Sequence, residues 1–318
     1  NGGGSRPSKE LYPAWKATKL GILGAGMMGQ GIAYVAATVG IQVVLLDQTV
    51  EAAEKGKAYT KGLLDKSVSK GRMTADKAAA TLALIQTTDS HADLKGCDMV
   101  IEAVFEERSV KAKATELAEA NALPDVLMCS NTSTLPITGL AKASKKPENY
   151  IGLHFFSPVD KMPLVEIIRG EQTSDAALAK AFDFVLQIRK TPIVVNDSRG
   201  FFTSRVFGTF TFEGIAMVGE GYHPLTIEQA AAQAGMPIGP LAVTDEVTLD
   251  LGRKVRLQTI KDLAEEGKTM PSHPAFAVVD QMLDVFGRNG KKAGKGFYDY
   301  PEGGKKVIWQ GLVDHYTK

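Results

Sequence analysis

The turn Gly24-Ala25-Gly26-Met27-Met28-Gly29 constrains this 318-residue chain more than any other stretch. It follows the strand-like run Lys19-Leu20-Gly21-Ile22-Leu23 and opens a helix-like stretch reaching Val39. Residues 41–46 then read as a second strand, ending at Asp47. A strand, a glycine turn, a helix and a second strand closing on an acid meet the context that a dinucleotide-binding βαβ unit requires. Gly24 permits the tight turn, Gly26 lets backbone approach a pyrophosphate, and Gly29 allows helix to pack closely on strand. Met27 and Met28 open the helix, whose free N–H groups and positive dipole end favour phosphate. Asp47 can accept hydrogen bonds from ribose hydroxyls. Its charge repels a 2′-phosphate and Gln48 follows with no arginine nearby, so NAD is expected over NADP. The plain alternative is a glycine turn and a surface aspartate that bind nothing.

Strand-like runs recur at residues 84–87, 99–103, 126–130, 150–153, 164–168 and 192–195, several of them separated by helical stretches. Residues 50–84 have helical composition, broken around Lys70-Gly71-Arg72. Alternating strands and helices predict an α/β, Rossmann-type doubly wound sheet, mainly parallel. After Asp197 the character changes, and a smaller all-helical domain is expected. Thr226-Ile227-Glu228-Gln229 has the spacing of a capping box, with Gly235 as the stop of that helix. The resulting division is a linker over residues 1–16, an NAD-binding domain over 17–198 and a helical domain over 199–318. Residues 1–13 carry three successive glycines and two prolines, which is linker composition and fits either an expression scar or a piece of a longer polypeptide.

A formal net charge of +1 provides no field that recruits nucleic acid or an anionic membrane. Residues 31–46 are apolar but short for a membrane span, and Gly40 splits them into helix-like and strand-like halves. Cys97 and Cys129 lack metal-ligand spacing and read as small core residues, which predicts a reducing, cytoplasmic compartment and no metal.

His154 closes the strand-like run 150–153, and strand ends form the ligand crevice of an open α/β sheet. Glu166 follows twelve residues later, a charge inside the apolar run Val165-Glu166-Ile167-Ile168. A buried carboxylate needs a partner, and a histidine suits it: the carboxylate fixes the tautomer and stabilises the imidazolium formed on proton uptake. Alone, His154 reads as a satisfied structural histidine; the Glu166 anomaly and the dinucleotide turn reverse that reading. Ser130-Asn131-Thr132-Ser133-Thr134 follows another strand. Its hydroxyls either touch a substrate oxygen or merely cap a helix.

These residues together resemble the (S)-specific 3-hydroxyacyl-CoA dehydrogenases of fatty-acid β-oxidation, over roughly residues 17 to 300. The resemblance rests on the glycine turn, Ile101-Glu102-Ala103-Val104-Phe105-Glu106, Ser130-Asn131-Thr132-Ser133, residues 152–158, Leu164-Val165-Glu166-Ile167, Gly200-Phe201-Phe202 with Arg205, and Gly294-Lys295-Gly296-Phe297-Tyr298. It implies that His154 is the general base, Glu166 its orienting carboxylate, and Ser133 a donor to the substrate 3-hydroxyl. It places Glu106, Lys111 and Asn131 at the cofactor; composition alone puts Glu106 and Lys111 on a solvated helix face. Lys66, Lys70 and Arg72 match the region that meets CoA phosphates, or else form a solvated basic face. The family commonly has asparagine at the position of Ser204, so that substrate contact is either filled by water or lost. The motif 152–158 ends Ser157-Pro158, where the family often has Asn-Pro. The resemblance also implies a homodimer or, in a full-length protein, a flanking hydratase and a further helical domain. The rivals are a dehydrogenase of a free hydroxy acid and a catalytically weak NAD-binding module of a larger complex.

Overall fold

A computed structural model describes residues 5–265 and 267–318. Two compact units result, Asn1–Ser204 and Arg205–Lys318. The first contains β1 (Lys19–Leu23), α1 (Met27–Thr38), β2 (Gln42–Leu46), α2 (Val50–Ser69), α3 (Ala75–Ala83), β3 (Ile85–Thr88), β4 (Met99–Glu102), α4 (Arg108–Asn121), β5 (Leu127–Ser130), α5 (Ile137–Leu140), β6 (Tyr150–Phe155), β7 (Leu164–Arg169), α6 (Asp175–Gln187) and β8 (Thr191–Asn196). All eight strands fall within a residue or two of their expected positions.

The strands form one sheet in the order β3-β2-β1-β4-β5-β6-β7-β8. The pairs from β3 to β6 are parallel, β6 and β7 are antiparallel, and β7 and β8 are parallel. β4, β5 and β6 are buried from end to end, and β1 is buried past Lys19, because helices cover both faces. Ile32, Ala36, Phe182 and Val185 of α1 and α6 pack with Ile22, Ile101 and Ile151 on one face. Ala114, Ala118 and Ile137 pack with Leu23, Val100 and Met128 on the other. Threonine and serine caps fix where three helices start: Thr49 accepts from Ala52 N–H, Thr74 from Lys77 N–H and Ser174 from Ala177 N–H.

Asn1 to Gly4 of the expected linker lie outside the described residues. The rest of that segment is not free chain. The Arg6 guanidinium donates to both Asp183 oxygens at 2.7 Å and to the carbonyls of Pro7 and Tyr12. Trp15 N–H donates to Asp183 as well, and Ala17 exchanges two hydrogen bonds with Gln187. Burial alone pushes the Asp183 carboxyl up, but the bonds from Arg6 and Trp15 outweigh it and hold it below its ordinary range. Asp183→Ala is therefore expected to destabilise this unit by about 1–3 kcal/mol in denaturant unfolding. A depressed carboxyl contributes stability above its unfolded-state titration and loses it as pH falls through the folded-state value. The gap between variant and wild type should thus close in acid; a gap constant with pH would assign the effect to packing alone.

The second unit holds α7 (Thr203–Glu220, beginning in the first unit), α8 (Pro224–Gln233), α9 (Pro240–Val247), α10 (Leu249–Glu265), α11 (Ala275–Asp284), a short antiparallel hairpin of β9 (Tyr298–Asp299) and β10 (Val307–Ile308), and α12 (Gln310–Tyr316). Its core joins Ile215, Val218, Leu241, Val278, Met282 and Phe297. The buried Asp245 carboxylate accepts from Phe297 N–H, Tyr298 N–H and the Tyr300 hydroxyl, which docks the Gly294–Tyr298 motif on α9. The capping box expected at residues 226–229 does not form. His223 caps α8, with its ring accepting from Leu225 N–H, and Pro224 takes the first helical position, so Thr226 is already inside the helix. Glu228 turns instead to Leu241 N–H and the Tyr298 hydroxyl. The helix ends at Gln233, with Gly235 in a left-handed conformation two residues on.

Candidate active site

The strand order reverses between β1 and β4, and the glycine turn leaves the carboxyl end of β1 at that switch point. Gly24 has φ 95°, and a side chain there would lie 2.6 Å from the Ala103 carbonyl. A side chain at Gly29 would lie 1.8 Å from the Gly24 carbonyl, so the first turn of α1 closes directly on the strand exit. Gly26, the N-cap of α1, is different: a side chain there would meet nothing within 4 Å. The cradle is closed on two sides and open at Gly26, and no side chain caps the helix N-terminus. Met27 is exposed and Met28 half-buried beside that opening. Asp47, just past β2, accepts from Ala25 N–H at 2.6 Å and from Gln48 N–H at 2.7 Å. Each of its oxygens keeps acceptor capacity for a ribose hydroxyl. Open backbone N–H groups with an acid beside them are the donor and acceptor set that NAD needs.

His154 and Glu166 are register partners across the antiparallel β6–β7 pair, so both side chains project from one face. His154 Nδ1 lies 2.6 Å from Glu166 Oε2. Glu166 is fully buried and His154 nearly so, with the rings of Phe156 and Phe201 centred 4.5 and 5.8 Å from the imidazole. Glu166 Oε2 also accepts from the Thr203 hydroxyl at 2.6 Å, while Oε1 accepts from Phe202 N–H at 3.0 Å and Thr203 N–H at 2.8 Å. Burial pushes this carboxyl up, yet the bonds from His154 and Thr203 hold it below its usual range. An ionised carboxylate only accepts, so Nδ1 carries the proton and Nε2 is left as an acceptor.

The loop after β5 hangs on Glu106. Its Oε1 accepts from the Thr132 hydroxyl at 2.6 Å, from Ser133 N–H at 2.9 Å and from Thr134 N–H at 3.0 Å. The Ser133 side chain is exposed. Asn131 Oδ1 accepts from Phe155 N–H at 3.0 Å, tying this loop to the residue after His154. Lys111 is not on a solvated face, as composition suggests. Its ammonium is buried, 2.9 Å from Glu102 and 3.2 Å from Glu106, and Glu102 also accepts from the Ser130 hydroxyl. Burial pushes the Glu102 carboxyl up despite Lys111. Any influence of Lys111 on a ligand therefore passes through Glu106.

Lys66, Lys70 and Arg72 are exposed around the end of α2. Ser204 is exposed, and its neighbour Thr203, rather than Ser204, reaches the histidine–carboxylate pair. Sequence reading gave Thr203 no role, and named Glu102 and Ser130 only within their motifs, not as partners; a threonine at the start of a helix was the available signal for the first.

A family model described as 3-hydroxyacyl-CoA dehydrogenase, NAD binding domain, matches residues 19–198, and one described as the C-terminal domain of that enzyme matches residues 200–300. A fatty acid oxidation complex subunit alpha of Shewanella baltica is 39% identical over 293 residues, covering 92% of this chain but 40% of that protein. The chain thus spans well under half of the curated relatives it matches. A solved (S)-3-hydroxybutyryl-CoA dehydrogenase from Ralstonia eutropha has a TM-score of 0.82 and 35% identity, covering 90% of this chain and 100% of its own. A 3-hydroxybutyryl-CoA dehydrogenase from Escherichia coli has a TM-score of 0.83 and 31% identity, covering 92% and 61%.

Proposed function

Since the chain belongs to the 3-hydroxyacyl-CoA dehydrogenase family, we propose that it oxidises (S)-3-hydroxyacyl-CoA to 3-oxoacyl-CoA with His154 as general base. The observation that carries this reading is the 2.6 Å contact between His154 Nδ1 and the buried Glu166, on the sheet that also bears the dinucleotide turn. NAD, when bound at the glycine turn, would supply the acceptor for the C3 hydride. His154 Nε2 takes the hydroxyl proton, and Glu166 balances the imidazolium that results. Positioned general-base catalysis of this kind is worth about 10²–10⁴-fold. Ser133 hydrogen-bonds the 3-hydroxyl, and Glu106 fixes the loop that presents it. Asn131 holds that loop beside the cofactor. Ser204 contacts substrate through a shorter side chain than an amide offers.

Gly24, Gly26, Met27, Met28 and Gly29 hold the pyrophosphate, and Asp47 the adenosine ribose. Lys66, Lys70 and Arg72 meet the CoA phosphates. Residues 17–198 serve as the cofactor domain and 199–318 as the substrate and dimerisation domain. The curated relatives are longer than this chain, and the family resemblance implies a parent protein with flanking hydratase and helical domains. Two free, buried cysteines suit a reducing cytoplasm, and among the described residues no helix is long and apolar enough to cross a membrane.

The direct test offers (S)-3-hydroxybutyryl-CoA and, separately, free (S)-3-hydroxybutyrate with NAD⁺. NADH formation from the thioester alone is expected. Equal rates with the free acid would move the reading to a hydroxy-acid dehydrogenase. No turnover with either, alongside normal NADH binding, would favour a docking module. Asp47→Ala should weaken NAD⁺ binding and reduce discrimination against NADP⁺; an unchanged ratio of kcat/KM values would remove Asp47 from the ribose site.

A further inference from the structure

Glu166 makes four hydrogen bonds, and two of them fall on the same oxygen. Oε2 accepts from His154 Nδ1 and from the Thr203 hydroxyl, each at 2.6 Å. The backbone N–H groups of Phe202 and Thr203 hold the other oxygen and orient the carboxylate without the hydroxyl. A hydroxyl donating to Oε2 draws charge from the very atom that holds the imidazolium. We propose that Thr203 is a positioning residue that sets the protonation balance of the His154–Glu166 pair, through the hydrogen bond of its hydroxyl to Oε2. The proposal rests on the reading of His154 as the base.

Among the described residues, the strand neighbours of the pair are uncharged and the charges at the strand ends have partners of their own. From β6 the partner is His154 itself, with the uncharged rings of Phe156 and Phe201 around it. From β8 the register partner is Ile193. Asp197, beyond the end of β8, is turned to the N–H groups of Ile137 and Thr138. Arg169, at the end of β7, pairs with Asp175. The charged residues nearest Thr203 along the chain are Arg199 and the exposed Arg205. Burial raises the Glu166 carboxyl, and the bonds from His154 and Thr203 lower it.

Without the hydroxyl, Oε2 holds the imidazolium more strongly. Oxidation needs neutral His154 and reduction needs imidazolium. Both limbs report the same imidazole, so both are expected to move in the same direction. The test records kcat/KM against pH in both directions, at saturating cofactor, for wild type, Thr203→Ser, Thr203→Cys and Thr203→Val. The low-pH limb of acyl-CoA oxidation and the high-pH limb of acetoacetyl-CoA reduction should both move up by about 0.5–1 pH unit in Thr203→Val. Serine should restore the wild-type limbs, and cysteine, a weak donor, should fall between. If the valine variant does not fold, the cysteine variant carries the comparison. A uniform loss of activity with unmoved limbs, or limbs unmoved at full activity, would overturn the proposal. Absent turnover in wild type, or a wild-type limb that survives His154→Gln, would instead overturn the reading of the base and the proposal with it.

Discussion

His154→Gln should bind NADH with wild-type affinity and turn over acetoacetyl-CoA two to four orders of magnitude more slowly, about what positioned proton transfer contributes. Glutamine keeps a polar atom facing Glu166 but has no second ring nitrogen to take the hydroxyl proton. The turn at Gly24–Gly29 and Asp47 makes no contact that depends on the imidazole, so cofactor affinity is the internal control. Glu166 would lose its charged-state partner, yet three other donors still satisfy the buried carboxylate. The melting temperature should therefore change little. If His154 were only a core histidine, stability would fall while activity per folded molecule held.

The second large effect is expected at the glycine turn. In Gly29→Ala the new methyl would sit 1.8 Å from the Gly24 carbonyl oxygen, a backbone atom that cannot rotate away. Either α1 moves off the strand exit or the turn opens, and both displace the N–H groups aimed at the pyrophosphate. Overpacking of this kind costs about 1–3 kcal/mol, equivalent to about 5- to 150-fold in NADH affinity if it is expressed at the site. Gly26→Ala tests the same cradle from its open side. The methyl meets no protein atom, so the apo fold should be intact while NADH affinity falls. Unchanged NADH titrations in both variants would place the dinucleotide elsewhere.

The sheet was legible because each central strand is a short apolar run buried on both faces, and such runs stand out whatever surrounds them. The cofactor turn was legible because glycine spacing and a terminal acid are local. The polar network was not local. Thr203 meets Glu166 across 37 positions and Arg6 meets Asp183 across 177, so neither residue differs in sequence from an ordinary surface threonine or arginine. Lys111 reads as solvated because its helix is polar by composition; the placement of Glu102 at the end of β4, with Glu106 just beyond it, makes a buried ammonium tolerable there. The capping-box spacing at Thr226 lost to Pro224, whose fixed φ starts the helix three residues earlier, with His223 as the cap. His154 and its orienting Glu166 were named from sequence, whereas Thr203 and the burial of Lys111 against Glu102 needed the fold.

The account's central claim is that this chain moves a hydride between C3 of a 3-hydroxyacyl thioester and NAD while His154 moves the proton. The measurement that tests it most directly supplies acetoacetyl-CoA with NADH deuterated at the transferring position of the nicotinamide, in ordinary water, and follows the product by mass spectrometry. The account predicts (S)-3-hydroxybutyryl-CoA carrying one deuterium at C3, with its formation suppressed in His154→Gln. Product without deuterium at C3, or no product from a folded chain that binds NADH, would contradict it.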